Sequence, residues 1–258
     1  MEATTTNEFR YLESVKQVPY CTLLLFLSEV IVYMVYVPET RPESLEWSST
    51  KAVVGPLDCR ASLDDRWRLY PLLCYQVVHL GLRHVTNNAL GLLVFGGIIE
   101  SVHGAWRVFA IFQVSVVNGA MAFLVMNPES RLIGSSGGVY GLMFCQGANL
   151  MYNWREMYWV LKCARILCML IFIGGDLSTY LTGNDRIAYA CHAIGGVTGF
   201  LTGALVLKNL VVERYERWFR YTSMVVLPLL TCALFVSYAT VGEGEPRFPL
   251  VPPPEGDN

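Results

Sequence analysis

Long runs of apolar residues alternate with short polar segments along most of this chain. A helix that crosses a bilayer needs about 20 consecutive, mostly apolar residues. Runs that approach this length predict membrane helices at residues 18–37, 82–102, 106–126, 136–152, 158–181, 187–207 and 222–241. Because backbone polar groups in lipid must be satisfied within the segment, the pattern predicts an all-α, polytopic membrane protein.

Polar segments flank and separate these runs. Residues 1–17 mix acids and bases, and the acids argue against a mitochondrial transit peptide. The apolar run that follows is too long for the core of a cleavable signal, so these residues are expected to form an N-terminal tail. Residues 38–68 predict a long outer loop with some structure of its own, and residues 208–220 predict a basic linker. Residues 242–258 are rich in proline and acid, which predicts a disordered tail outside or in the lumen. The membrane domain is expected to cover residues 18–241.

Composition supports a membrane protein. Apolar residues make up 53% of the chain, charged residues 16%, and the mean hydropathy is +0.41. A soluble domain typically carries about 25% charged residues. The net charge of −2 gives no reason to expect a nucleic-acid partner. The cysteines form no C-x-x-C pair, which argues against a thiolate metal site, and no cofactor is predicted.

The distribution of positive charge predicts the orientation, since Lys and Arg accumulate in short cytosolic loops. Only Arg131 and Arg186 lie in the short loops of one side. The loops of the other side, together with the ends of the predicted helices that border them, hold Arg107, Arg155, Lys162, Arg165, Lys208, Arg214, Arg217 and Arg220. The N-terminus is therefore expected in the cytosol, with the protein in the secretory pathway (Golgi or endosome) or the plasma membrane.

Gly134-Ser135-Ser136-Gly137-Gly138 lies where a turn meets the predicted fourth helix. Small neighbours let a substrate backbone approach a serine, and the first turn of a helix supplies free N–H groups to an oxyanion. Ser136 is therefore a candidate nucleophile. Glycine and serine are also common where membrane helices pack, so packing remains the alternative.

His192 lies just before a G-x-x-x-G pair formed by Gly195 and Gly199, which lets two helices approach closely. A histidine carried to such a contact can act as the general base for a serine. The alternative is a structural histidine held by a hydrogen bond.

His84 and Asn88 are four residues apart and point the same way from a helix. Both can donate hydrogen bonds to a developing oxyanion. The alternative is half of a metal site, for which the sequence offers no third ligand. Asp176 also lies within an apolar run, where a charge is costly, and the sequence assigns it no role.

Together these residues resemble the rhomboid family of intramembrane proteases, over about residues 75–241. The family's nucleophile motif, G-A-S-G-G-V-Y, is similar to residues 134–140, with Ser135 in place of alanine. Its base motif, A-H-x-x-G-x-x-x-G, is similar to residues 191–199, with Cys191 in place of alanine.

Further motifs extend the resemblance. His84 and Asn88 match the family's H-x-x-x-N, and Glu100 with Gly104 matches the E-x-x-x-G that closes the second helix. Six core helices followed by one more resemble the eukaryotic secretase-type members. The family's Trp-Arg pair in the first loop is matched less well, because Trp67-Arg68 lies three residues farther from His84 than usual.

The resemblance implies a Ser–His dyad with no aspartate to orient the histidine. Ser136 would attack the scissile carbonyl, and His192 would take its proton and pass it to the leaving amine. The Ser136 backbone N–H, His84 and Asn88 would hold the oxyanion, and Tyr140 would stack on the base. The fifth helix is implied to be the lateral gate.

The expected substrates are single-pass membrane proteins, such as growth-factor precursors, cut near the outer face so that their ectodomains are released. One alternative is a catalytically silent rhomboid relative that binds client helices. Another is a transporter or channel with a polar path through His84, Asn88, Asp176 and His192. The partners expected are these substrates and the lipid bilayer, and the sequence carries no signal for an oligomeric state.

Overall fold

The computed structural model describes residues 18–40, 52–53, 60–63, 66, 68–181, 188–209 and 211–241, without the side chains of 36–40 and 52–53. This part of the chain is mostly helical. Its α-helices are α1 (Tyr20–Thr40), α2 (Pro71–Cys74), α3 (Gly81–Gly91), α4 (Gly97–His103), α5 (Ala105–Met126), α6 (Ser136–Tyr152), α7 (Trp159–Leu181), α8 (Tyr189–Val206) and α9 (Arg214–Thr240).

Short elements connect the first two long helices. A 3-10 turn at Tyr75–Val77 precedes α3, and a π-helical stretch at Leu92–Gly96 joins α3 to α4 in one continuous run. Strands β1 (Ala52–Val53) and β2 (His79–Leu80) pair antiparallel, with Val53 opposite His79. The predicted first loop therefore carries some structure of its own.

The all-α, polytopic prediction is confirmed, and each predicted span corresponds to a helical segment. By length and composition, four helices of the described part could cross a membrane: Gly81–His103, Ala105–Met126, Tyr189–Val206 and Arg214–Thr240. The predicted start of the sixth span, Ile187, lies outside the described residues.

The predicted basic linker at residues 208–220 is wrong over its second half, because α9 begins at Arg214 rather than at residue 222. A capping box starts the helix: the Glu213 side chain accepts a backbone N–H, and the Glu216 carboxylate accepts the Glu213 N–H at 2.6 Å. Hydropathy identifies only the apolar part of a helix, so it does not detect a charged first turn that lies outside the lipid.

Glycines set the closest contact in the bundle, between α6 and α8. A side chain on Gly199 would overlap the Gly141 carbonyl, and one on Gly195 would overlap the Gly137 carbonyl. The predicted close approach at the G-x-x-x-G pair is therefore present, and its partner is the helix that begins with Ser136.

Buried polar contacts fix the neighbouring helices. Asn118 on α5 donates to Thr198 on α8 at 3.3 Å and to Thr231 on α9 at 2.9 Å, which joins three helices. The Glu100 carboxylate accepts the backbone N–H groups of Cys21 and Thr22, each at 2.7 Å. Glu100 thus satisfies free donors at the start of α1, where a negative charge also favours the helix dipole.

Helix α7 is the least embedded of the long helices. Arg165 is its one buried residue, and most of its large apolar side chains are exposed. A Cβ on Gly174 or Gly175 would meet nothing within 4 Å. An apolar surface of this kind is suited to contact with lipid.

The two ends of the bundle differ in their polar contacts. At one end, Ala61 pairs with Leu132 just before the predicted nucleophile, and Arg66 donates to the Val241 carbonyl at the end of α9. Of the predicted Trp67-Arg68 anchor, Trp67 lies outside the described residues and Arg68 is exposed.

At the opposite end, His103 contacts Asn149 at 3.1 Å, and Arg107 donates to the Val206 carbonyl at 2.6 Å. The Lys208 backbone N–H donates to the His103 ring at 3.0 Å. Two of the positive residues that predicted the cytosolic side, Arg107 and Lys208, therefore lie at the end away from Ser136.

Candidate active site

Ser136 is the first residue of α6, and it is buried. The backbone N–H groups of Gly138 and Val139 both donate to the Ser135 carbonyl, which closes the first turn. The N–H groups of Ser136 and Gly137 come before these bonds and have no acceptor within the helix. The helix start therefore offers donors beside the Ser136 hydroxyl.

Gly134 brings the turn before Ser136 against α3. A Cβ at Gly134 would lie 2.6 Å from His84 Cε1, 2.7 Å from its Nε2 and 3.4 Å from Asn88 Nδ2. The backbone φ of Gly134 is +96°, a conformation that side-chain-bearing residues rarely adopt. The close contact and the positive φ both require glycine at this position, which brings His84 and Asn88 beside the turn before Ser136.

The hydrogen bonding of His84 determines which ring nitrogen can donate. Nδ1 accepts the Leu80 backbone N–H at 3.2 Å, at the start of α3. A neutral ring that accepts at Nδ1 carries its hydrogen on Nε2, the nitrogen next to Gly134. His84 is thus prepared to donate toward the Ser136 turn.

Asn88 is 5% exposed, and its Nδ2 has no hydrogen-bond partner in the described part of the chain. A buried donor without a partner is costly and uncommon in folded proteins. Its place beside Gly134 leaves this donor available to a negatively charged oxygen at Ser136.

His192, on α8, is held from two sides. The Tyr140 ring stacks on it with centroids 4.2 Å apart and planes inclined by 9°. The Asp176 carboxylate on α7 contacts His192 Nδ1 at 2.6 Å. The resemblance predicted the first contact, but its expectation of a histidine without a carboxylate partner differs from this structure.

The two halves of the site meet through α6 and α8. A Cβ at Gly137 would lie 2.7 Å from the Cys191 sulfur, so the residues after Ser136 and before His192 are in contact. Among the described residues, no direct hydrogen bond joins Ser136 to His192. Such bonds are often long without substrate and tighten in the reacting complex.

A contact that the sequence did not predict joins Glu29 and His79, a buried pair behind the site. Glu29 on α1 and His79 on β2 are both buried, with Glu29 Oε2 3.9 Å from His79 Nε2. The His79 and His84 rings meet edge to face at 5.1 Å. Glu29 is the one charged residue in the apolar run 18–37, and that signal could have singled it out.

The described residues contain no group of three or more His, Cys, Asp or Glu side chains that could hold a metal ion.

Comparison with known proteins identifies the family. The family model of the Rhomboid domain matches residues 66–209, which is more than half of the chain and includes His84, Asn88, Ser136, Tyr140, Asp176 and His192. The chain belongs to the rhomboid family. Both segments of the site and the helices between them lie within this match.

Among curated relatives, Rhomboid-related protein 1 of Caenorhabditis elegans is 34% identical over 62% of this chain and 45% of its own length. Rhomboid-related protein 2 of Mus musculus is 29% identical over 74% of this chain and 65% of its own length. Inactive rhomboid-related protein 2 of C. elegans is 25% identical over 84% of this chain and 63% of its own length. The chain thus spans about half to two thirds of the relatives it matches.

Proposed function

We propose that this chain is an intramembrane serine protease that cleaves single-pass membrane proteins. The observation that carries the proposal is the position of Ser136 at the start of α6. The donors His84 and Asn88 lie against the turn on one side, and the Cys191-His192 segment packs against Gly137 on the other. This arrangement supplies a nucleophile, a base and oxyanion donors on three helices.

In the proposed reaction, the Ser136 hydroxyl attacks the scissile carbonyl while His192 takes its proton. The carbonyl oxygen becomes negative and accepts hydrogen bonds from the Ser136 backbone N–H, from His84 Nε2 and from Asn88 Nδ2. Loss of one such donor typically lowers kcat by about 10²–10³-fold. His192 then gives the proton to the leaving amine, and water hydrolyses the acyl-enzyme.

The substrate is proposed to be cut near the outer or lumenal face, where release of the ectodomain would signal to other cells. The first-loop residue Ala61 and the end of α9 lie at the Ser136 end of the bundle, whereas Arg107 and Lys208 lie at the other. Under the positive-inside rule this supports an outward-facing site. Helix-destabilising residues near the cut would help the substrate to unwind.

The test is co-expression with a panel of single-pass growth-factor precursors, with released ectodomain measured at matched expression. Ser136→Ala and His192→Ala are expected to abolish release. Ser135→Ala is the matched control, because the family motif carries alanine at this position, and it is expected to retain release. Release that survives in Ser136→Ala would show that another residue is the nucleophile.

A second candidate is a silent, client-binding relative, which the match to a protein named as inactive favours. In that case neither wild type nor any variant would release an ectodomain. Clients would still co-precipitate equally with wild type and Ser136→Ala.

A further inference from the structure

His192 and Asp176 form the shortest side-chain contact made by the candidate base. The distance from Nδ1 to Oδ2 is 2.6 Å, shorter than a typical neutral N–H···O bond and typical of a charge-assisted one. The two side chains are 12% and 26% exposed, so both are largely withdrawn from solvent. Asp176 reaches the ring from α7, while His192 belongs to α8.

This contact determines the chemistry of the ring. A carboxylate can only accept hydrogen bonds, so His192 Nδ1 must carry the hydrogen. In the neutral ring Nε2 then holds the lone pair, which is the state a base needs to take a proton from Ser136. After that transfer the ring is positive, and the adjacent carboxylate stabilises the charge.

Tyr140 completes the support of the base. Its ring covers one face of His192. Stacking prevents the imidazole from tilting but leaves rotation within its plane free, whereas a hydrogen bond to Nδ1 fixes that rotation. Tyr140 and Asp176 therefore constrain different motions of the same ring.

Packing alone does not account for an acid at this position. Helix α7 is mostly exposed, and the space around the neighbouring Gly174 and Gly175 is open. An ionisable side chain on an apolar helix is costly unless it has a partner. The partner of Asp176 is the base on the next helix.

We propose that Asp176 is the positioning residue of His192, so that Ser136, His192 and Asp176 act as a triad assembled from α6, α8 and α7. This inference rests on the proposed protease function. Asp176 contacts neither substrate nor the reacting atoms. It acts by fixing the tautomer and orientation of the base and by stabilising the imidazolium.

The test uses the full chain purified in detergent, with two probes. A fluorophosphonate measures the rate at which Ser136 is modified, and a quenched fluorescent peptide with one transmembrane segment gives kcat and KM. The variants are Asp176→Asn, Asp176→Glu and Ser178→Asn. Ser178 is an exposed residue of the same helix and serves as the matched control for a polar change on α7.

Asp176→Asn is expected to lower kcat and the labelling rate by about 10²-fold, with KM within about twofold of wild type. Asp176→Glu keeps the carboxylate, and its kcat is expected to be at least about tenfold higher than that of Asp176→Asn. Ser178→Asn is expected to match wild type. This split between kcat and KM, with rescue by the acid, is not expected of a merely structural residue. Thermal unfolding in the same detergent checks that each variant is folded.

Wild-type kcat in Asp176→Asn would overturn the inference and leave the protease function intact. A loss confined to KM, or an equal loss of kcat in the Asn and Glu variants, would also overturn it. A wild-type protein that neither reacts with the fluorophosphonate nor cleaves the peptide would instead refute the protease function, and the triad with it.

Discussion

His79 illustrates how burial controls the charge of a single side chain beside the site. Burial lowers the pKa of His79 well below its usual value of 6.5, and the neighbouring His84 acts in the same direction. The contact of Nδ1 with the Val77 carbonyl, at 3.3 Å, opposes this effect only in part. His79 is therefore neutral at pH 7, when its Nδ1 donates to Val77 and its Nε2 faces Glu29.

This lowered pKa predicts that acid destabilises the fold through His79. Below pH 6.5 the unfolded chain binds a proton that the folded chain excludes, so the free energy of unfolding falls as the pH falls. The loss is up to about 1.4 kcal/mol per pH unit until the folded histidine is protonated, and above pH 7.5 the residue contributes nothing. Thermal unfolding in detergent between pH 5 and 8 should show a shallower acid slope for His79→Asn than for wild type. Identical slopes would contradict the assignment.

At the level of elements, we expect substitution by alanine to have opposite effects at two glycines, one at the contact between α6 and α8 and one on α7. Gly199→Ala places a methyl group on the Gly141 carbonyl, so the helices must separate, and overpacking of this kind typically costs about 1–3 kcal/mol. Gly174→Ala on α7 meets nothing within 4 Å, and alanine favours a helix over glycine by about 0.8–1.0 kcal/mol.

Thermal unfolding of the two variants in the same detergent checks this contrast. Gly199→Ala is expected to lower the midpoint by several degrees and Gly174→Ala to leave it unchanged or raise it. A Gly199→Ala variant as stable as wild type would show that α6 and α8 do not approach as closely as the structure places them.

Local patterns predicted the helices because each span is a continuous apolar run. In lipid, the backbone N–H and C=O groups of such a run must form their hydrogen bonds within the segment. They placed the start of α9 eight residues too late, since Arg214 and Glu216 look like loop residues to any measure of hydropathy. The cap that Glu100 provides for α1 joins residues nearly eighty positions apart. Its motif could be recognised in the sequence, but its partners could not.

The candidate site was predictable where function constrains local sequence. Ser136 and His192 are flanked by glycines whose spacing reflects close helix approach, and Tyr140 follows Ser136 by one turn. The partner of Asp176 was not predictable, because it depends on the position of α7 relative to α8 in the folded chain rather than on any local pattern. Glu29 and His79 meet across the bundle for the same reason.

At the scale of the whole molecule, the position of the site predicts which side of the membrane each segment occupies. The turn before Ser136 pairs with Ala61 of the first loop, so the loop and the site share one side. The positive residues Arg107 and Lys208 lie at the opposite end. If that end is cytosolic, the first loop lies in the lumen, and residues 1–17, which one predicted span separates from this loop, lie in the cytosol.

Glycosylation of single-residue variants tests this orientation, because the acceptor sequence N-x-S/T is modified only in the lumen and the natural chain has none. Ser48→Asn makes an acceptor with Ser49 and Thr50 in the first loop, and Phe9→Thr makes a matched one with Asn7 in the N-terminal tail. Translation with microsomes is expected to add a glycan, removable by endoglycosidase, to the first variant only. Modification of the Phe9→Thr variant alone would show that the orientation is the reverse of the predicted one. The Ser136 site would then face the cytosol, where cleavage could not release an ectodomain from the lumenal side.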